Sequence, residues 1–246
     1  MGKAIALLYG LICYLIFFVT FLYAIGFTGN FIVPKGIDDG VEGPLVLSII
    51  INLALMGLFA VQHSVMARPG FKKWWTNFVP LPIERSTYVL LSSLALILLY
   101  HLWQPMTGTV WSITEPALRN VIWAIFAIGW GVVLLSTFMI GHFELFGLQQ
   151  VLFHMQEKKV PKPNFKEPGF YKFVRHPIMT GFIIAFWATP DMTMGHLLFA
   201  AVTTAYILIA IQLEERDLIA LLGNAYVNYR KRVPAIIPFI KGSGRS

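Results

Sequence analysis

The residues best placed to do chemistry lie in the last third of the chain, where Tyr171 is followed by Arg175-His176-Pro177 and, after a long apolar run, by Glu214-Glu215. Arginine and histidine side chains are donors, suited to a carboxylate or to the edges of an adenine. A pair of carboxylates at the foot of an apolar helix is costly unless solvated or paired. Such a pair can accept the two hydroxyls of a ribose or balance a cationic sulfonium. Pro177 fits the first turn of a helix, where its missing N–H is not needed. Gly181 lets another backbone or a ligand approach closely. Downstream, Tyr226 and Tyr229 could wall an aromatic ring. Each piece also has a plainer alternative: a basic anchor at a membrane edge, a solvated helix end, interfacial tyrosines.

The elements that must position these residues are apolar. The chain has 246 residues, 57% hydrophobic and 13% charged, and its mean hydropathy is +0.69. Soluble domains carry about 25% charged residues, so lipid is the expected solvent. Long apolar runs in lipid mean helices, because every backbone group must be satisfied internally. Spans are expected at Ala4–Phe27, Pro44–Ala67, Thr87–Gln104 and Arg119–Gly141. A fifth region, Ile178–Leu213, is too long for one helix and is broken by Thr189-Pro190-Asp191. A helical hairpin turning there keeps Asp191 out of the bilayer centre, where it costs about 2.5–3.5 kcal/mol. The fold class is therefore an all-α integral membrane protein of about six transmembrane helices, the last two a hairpin. Residues 1–141 are read as an N-terminal four-helix bundle, and 142–246 as connector, hairpin and C-terminal tail.

The net charge of +7 follows topology and not nucleic acid. With a cytoplasmic N-terminus, seventeen of the 19 Lys and Arg fall on inner segments, leaving Lys35 and Arg119 outside. That asymmetry is the positive-inside pattern and favours an anionic lipid surface. It predicts both termini cytoplasmic, and a cytoplasmic cofactor pocket formed by the inner loop and the tail. The uncharged stretch from Ala4 to Phe27 is long for a cleaved leader and long enough to span. Cys13, the single cysteine, lies in that run and reads as a packing residue.

Taken together, Arg175-His176-Pro177 with Gly181, then Glu214-Glu215 with Leu218, then Gly223, Tyr226 and Tyr229, then Val233-Pro234 and Ile237-Pro238 resemble the isoprenylcysteine carboxyl methyltransferase family. The match runs from Phe165 to Ile240, and Met179 stands where that family usually has tyrosine. The stretches Gln62–Arg68, Glu84–Tyr88 and Gly141–Gln149 resemble a bacterial branch that contains methanethiol S-methyltransferases and NnrU-like membrane proteins. The resemblance implies S-adenosylmethionine as methyl donor, held by Tyr171, Arg175, His176, Pro177, Gly181, Glu214, Glu215, Tyr226 and Tyr229, with Gln149 and His154 of the inner loop. It implies a small apolar thiol, methanethiol foremost, as acceptor. Two other functions remain open: a non-catalytic component of nitrogen-oxide respiration, and an NADPH-dependent intramembrane reductase.

Methylation of a thiol goes through its thiolate, so a base or a thiolate-stabilising donor helps at neutral pH. His63 and His142 are the catalytic candidates, each near the inner end of a helix. Asn52, 11 residues before His63, shares its helix face with Met56 between them. His142 and Gln149 share a face if the fourth helix continues past Gly141. Asn52, Tyr100 and His101 are candidates to line the acceptor path. Snorkelling or capping polar groups are the alternative for each histidine. No histidine pair has the i, i+4 spacing of a helical metal site, so no metal is expected.

Overall fold

A computed structural model describes residues 2–159 and 165–238. Lys162, Lys241 and Arg245 of the basic segments, and the last two residues of the Phe165–Ile240 motif stretch, lie outside the described residues. Among the described residues, five helices are long and apolar enough to cross a membrane: α1 (Lys3–Gly29), α2 (Leu45–Ala67), α4 (Leu81–Leu102), α5 (Pro116–Ile140) and α9 (Met194–Leu222). Each covers one of the apolar runs. Shorter elements complete the order: α3 (Pro69–Trp75), β1 (Thr109–Ser112), α6 (His142–Leu145), α7 (Leu148–Met155), a 3₁₀ turn (Gly169–Lys172), α8 (Pro177–Trp187), β2 (Asp191–Thr193) and α10 (Asn224–Arg232).

The hairpin expected over Ile178–Leu213 is formed by α8 and α9. With 11 residues, α8 is only about 16 Å long at ~1.5 Å per residue, roughly half of the ~30 Å hydrocarbon layer. Its turn carries a short strand. β2 pairs antiparallel with β1, Trp111 opposite Met192 and Ser112 opposite Asp191. The Ser112 hydroxyl donates to Asp191 Oδ1 at 2.7 Å, so the carboxylate is satisfied at the turn.

Among the first four spans, one boundary differs clearly from the sequence reading. α4 begins at Leu81 and not Thr87, which draws Glu84 and Arg85 into a helix. Glu84 is buried there because Lys72 Nζ lies 3.0 Å from its carboxylate. Arg85 stands over the Tyr88 ring at 5.0 Å and donates from Nε to the Leu145 carbonyl at 2.7 Å. The fourth span, in turn, does not continue into the inner loop. α5 stops at Ile140, and Gly141 takes a left-handed φ of 107°, a conformation that glycine adopts without strain. The face that His142 and Gln149 would have shared is therefore absent.

The chain forms two compact units that alternate along the sequence. The first holds Met1–Ser112, Phe143–Pro161 and Asp191–Phe199; the second holds Ile113–His142, Lys162–Pro190 and Ala200–Ser246. In the first, α1 packs on α4 and α7, and α2 packs on α4. Tyr88, Val89 and Met66 make a core there with Phe17, Phe71, Trp75 and Phe146 around it. In the second, α5 lies along α8. A Cβ on Gly129 would sit 2.6 Å from the Ala185 amide nitrogen, and one on Gly181 would sit 2.7 Å from the Gly129 carbonyl. The two backbones touch through these glycines, as small residues allow between membrane helices. Of the two partners anticipated for Gly181, a backbone or a ligand, the structure shows a backbone.

Candidate active site

The second unit draws the dispersed motif pieces into one cluster around Glu215. Arg175 Nε donates to Glu215 Oε1 at 2.6 Å, and His176 Nε2 lies 3.0 Å from the same oxygen. Arg230 Nη1 stands 3.8 Å from Oε2. The side chains of Arg175, His176 and Glu215 are 10%, 5% and 9% exposed. Removing one partner of such a buried pair costs about 3–5 kcal/mol, because the other charge is left uncompensated. Glu214, one residue away and so turned about 100° around the helix, is 44% exposed, and its nearest basic side chain within 4 Å among the described residues is His176, with Nδ1 at 3.7 Å. Adjacent carboxylates thus have opposite surroundings: Glu215 ties the cluster together, and Glu214 faces outward.

The tail completes the cluster. The amides of Arg175 and His176 donate to the carbonyls of Pro234 and Ala235 at 2.9 and 3.0 Å, and the Thr180 hydroxyl donates to the Ile236 carbonyl at 2.9 Å. Pro234 offers a carbonyl with no N–H to compete. Arg175 Nη1 also donates to the carbonyls of Arg230 and Val233. Tyr226 and Tyr229 pack with Val233, Leu218 and Phe165. The Tyr229 hydroxyl donates to the Tyr171 carbonyl at 2.6 Å, and burial pushes its pKa up to about 12. Burial also raises Tyr171 and Tyr226, so all three phenols keep their protons at neutral pH. The Tyr226 hydroxyl is buried with no hydrogen-bond partner among the described residues. Pro177 takes the first turn of α8, as expected.

His142 also belongs to the second unit. It is 3% exposed, stacks on Phe138 with ring centroids 4.3 Å apart, and has Nδ1 2.8 Å from the Thr137 hydroxyl. That hydroxyl donates to the Leu134 carbonyl at 2.6 Å. It therefore accepts from Nδ1–H, which leaves the basic lone pair on Nε2. Burial lowers the His142 pKa, so the ring is neutral at pH 7.

The first unit holds the remaining candidates. Asn52 and His63 do share a face of α2, and it looks onto α4. The Asn52 amide donates to the Gln104 carbonyl at 2.8 Å and accepts from the Gln104 amide at 2.9 Å. With no exposure and both ends of its amide engaged, Asn52 holds the chain that leaves α4. The half-buried His63 has the Ser92 hydroxyl 3.2 Å from Nδ1, and the Tyr88 hydroxyl 3.0 and 2.9 Å from Nδ1 and Nε2. Phe59 stacks on its ring at 5.1 Å. Tyr100 and His101 line a different place, a cavity of about 540 Å³ with Leu15, Thr20, Tyr23 and Lys35; neither Asn52 nor His63 lines it. Gln149 and His154 lie on α7. Sequence reasoning missed Tyr88, Ser92 and Thr137, whose part comes only from the histidine each one meets.

Comparison with known proteins gives this arrangement a context. A methanethiol S-methyltransferase of Mycobacterium tuberculosis is 53% identical over 239 residues, 97% of this chain and 98% of its own length. Methanethiol S-methyltransferase 1 of Bradyrhizobium diazoefficiens is 57% identical over 237 residues, 96% of this chain and 83% of its own. Nurim of Bos taurus is a more distant relative, 30% identical over 190 residues, 74% of this chain and 70% of its own. No family model and no solved structure matches. Because more than half of the residues are identical over nearly the whole of this chain and most of each relative, this chain belongs to the methanethiol S-methyltransferase family.

Proposed function

We propose that the protein transfers the methyl group of S-adenosylmethionine to methanethiol, releasing dimethyl sulfide. The observation that carries this reading is the split between the two glutamates in a chain of this family. Glu215 is consumed in fixing Arg175 and His176, while Glu214 keeps an outward carboxylate beside a buried, unpartnered Tyr226 hydroxyl. A cationic nucleoside with ribose hydroxyls fits those groups: a carboxylate can accept a hydroxyl or balance a sulfonium, and a buried phenol lacks a partner that a ligand can supply. Glu214, Tyr226 and His176 would hold it. When bound, it supplies an electrophilic methyl group on a positively charged sulfur.

The protein's own residues have two tasks. The Glu215 cluster and the tail carbonyls fix the donor-binding side chains, since alignment makes up much of the barrier to such a transfer. His63 and His142 are the candidates to ionise the thiol. Methanethiol is expected to ionise somewhat above the ~8.5 of a free cysteine, so little of it is thiolate at pH 7. Once thiolate and sulfonium meet, charge is neutralised and a dry site does not oppose the step. The bacterial relatives point to a bacterial inner-membrane location, and the seventeen-to-two charge split supports cytoplasmic termini.

The test is a sealed vial containing purified protein, S-adenosylmethionine and methanethiol. Dimethyl sulfide should accumulate in the headspace in proportion to protein. No product, together with a thermal shift on adding NADPH and none on adding S-adenosylhomocysteine, would replace this reading with the reductase.

A further inference from the structure

Lys35 is one of the two basic residues that fall outside the inner segments, and the first unit holds it in a built setting. Asn30 ends α1 with a left-handed φ of 56°, which asparagine tolerates. The chain then folds back over the helix end, where the Ile37 amide donates to the Phe27 carbonyl at 2.9 Å. Tyr23 of α1 fixes the Lys35 backbone: its phenol donates to the Lys35 carbonyl at 3.0 Å and accepts from the Lys35 amide at 3.2 Å. Lys35 Nζ donates to the carbonyls of His101 and Trp103 at 2.7 and 2.9 Å, at the C-terminal end of α4. This cap uses two of the three N–H groups of the ammonium. No carboxylate lies within 4 Å of it among the described residues, and burial lowers its pKa.

The same lysine stands at one end of the cavity of about 540 Å³ between α1 and α4. The long walls are apolar: Leu15, Ile16 and Val19 of α1 and Ile97 of α4. Leu15 and Val19 are 59% and 62% exposed, so the cavity is a groove on the lipid-facing flank of two spans. From Leu15 to Tyr23 it follows α1 for about 12 Å, most of the ~15 Å of hydrocarbon in one leaflet. Polar groups gather only at the Lys35 end: the ammonium, the exposed His101 imidazole and the Tyr100 hydroxyl, the last on a side chain 5% exposed. Neither the imidazole nor that hydroxyl has a hydrogen-bond partner among the described residues. A cap for α4 needs no apolar groove below it and no idle donors beside it. We propose that this groove binds one anionic membrane phospholipid, with an acyl chain along Leu15, Val19 and Ile97 and the phosphodiester on Lys35, His101 and Tyr100. An ammonium is a ready point charge for a phosphate, and the bilayer is what the open flank of the groove meets. The inference is independent of methyl transfer, and it gives Tyr100 and His101 to the lipid and not to the acceptor.

The experiment titrates the purified full chain in detergent with dioleoylphosphatidylglycerol, dioleoylphosphatidylcholine or oleic acid and reads adducts by native mass spectrometry. Wild type should hold one phosphatidylglycerol, more tightly than phosphatidylcholine, whose choline already balances the phosphate. Lys35→Gln should weaken that adduct by about ten- to a hundred-fold, and Lys35→Arg should largely keep it. Val19→Trp, which fills the groove at an exposed position and leaves the α4 cap intact, should abolish the tight adduct. Lys73→Gln, an exposed charge on α3, should leave it unchanged. Equal affinity in wild type and Lys35→Gln, or an equal loss in Lys73→Gln, would overturn the site. So would phosphatidylcholine held as tightly as phosphatidylglycerol, oleate bound in place of a phospholipid, or a protein dimer carrying no lipid. If Lys35→Gln does not fold, Val19→Trp decides: a phosphatidylglycerol adduct that survives it overturns the proposal.

Discussion

The opposite surroundings of Glu214 and Glu215 can be separated by substitution. Glu215→Ala leaves Arg175 and His176, with side chains 10% and 5% exposed, facing a vacated position. An uncompensated buried charge costs about 3–5 kcal/mol. At about 2–4 °C per kcal/mol for a chain of this size, the melting temperature should fall by roughly 6–20 °C. Arg175→Ala removes the other half of the same pair and also the donor to the Val233 and Arg230 carbonyls, so its loss should be of the same order. Glu214 is 44% exposed and its nearest basic group is 3.7 Å away. Glu214→Ala should therefore move the melting temperature by no more than about 2 °C, since an exposed pair is worth only ~0–1 kcal/mol. Its effect should fall on the donor: one charged hydrogen bond is worth about 1.5–3 kcal/mol, or one to two decades in Kd. Scanning fluorimetry in detergent gives the first quantity, and calorimetry with S-adenosylhomocysteine gives the second. Equal destabilisation by the two glutamate variants, or unchanged affinity in Glu214→Ala, would refute the division of labour.

Other outcomes follow from the same geometry. Because burial holds the His142 pKa below its unfolded value of about 6.5, the unfolded chain takes up more protons as pH falls through 6.5. The stability this ring contributes is then present above pH 6.5 and lost below it; thermal scans from pH 7.5 to 5 should show that decline, and His142→Gln should flatten it. Gly181→Val puts a branched side chain against the Gly129 carbonyl and should destabilise by about 1–3 kcal/mol, visible as a lower melting temperature with no pH dependence. His142→Ala should leave S-adenosylhomocysteine affinity intact, and if His142 is the base its kcat should drop by about 10²–10⁴-fold; unchanged kcat would remove it from the reaction. Thiol labelling of single-cysteine variants at Asp191 and Lys158, over the buried Cys13, should place these two positions on opposite sides of the membrane, and a shared side would break the hairpin topology.

Much of the fold was legible because lipid leaves the backbone one choice, and the apolar runs found their helices within a few residues. The exceptions have local causes. The start of α4 was missed because Glu84 and Arg85 look like loop residues until Lys72 and the Tyr88 ring are seen to accept them. The β1–β2 pair is too short for any periodicity to announce it. In the site, residue types pointed to the Arg175–His176 and Glu214–Glu215 pieces, but not to which glutamate turns inward. That depends on the phase of α9 against α10 and the tail. For the histidines, sequence gave positions and no partners: Thr137 lies one turn before His142, while Tyr88 and Ser92 reach His63 from another helix. The left-handed Gly141 agrees with a glycine just past a span often ending it, and it ends the helix on which His142 and Gln149 would share a face.

On this reading a methyl group passes to methanethiol from a donor held by Glu214, Tyr226 and His176 beside the Glu215 cluster. The most direct measurement supplies S-adenosylmethionine carrying a trideuteriated methyl group, with unlabelled methanethiol, to the wild-type protein and to Glu214→Ala in sealed vials. Headspace mass spectrometry should find dimethyl sulfide with one labelled and one unlabelled methyl group from the wild type, formed about one to two decades more slowly by Glu214→Ala at low donor concentration and restored as the donor is raised. Unlabelled dimethyl sulfide, or none from a wild-type protein that is folded and binds the donor, would contradict it.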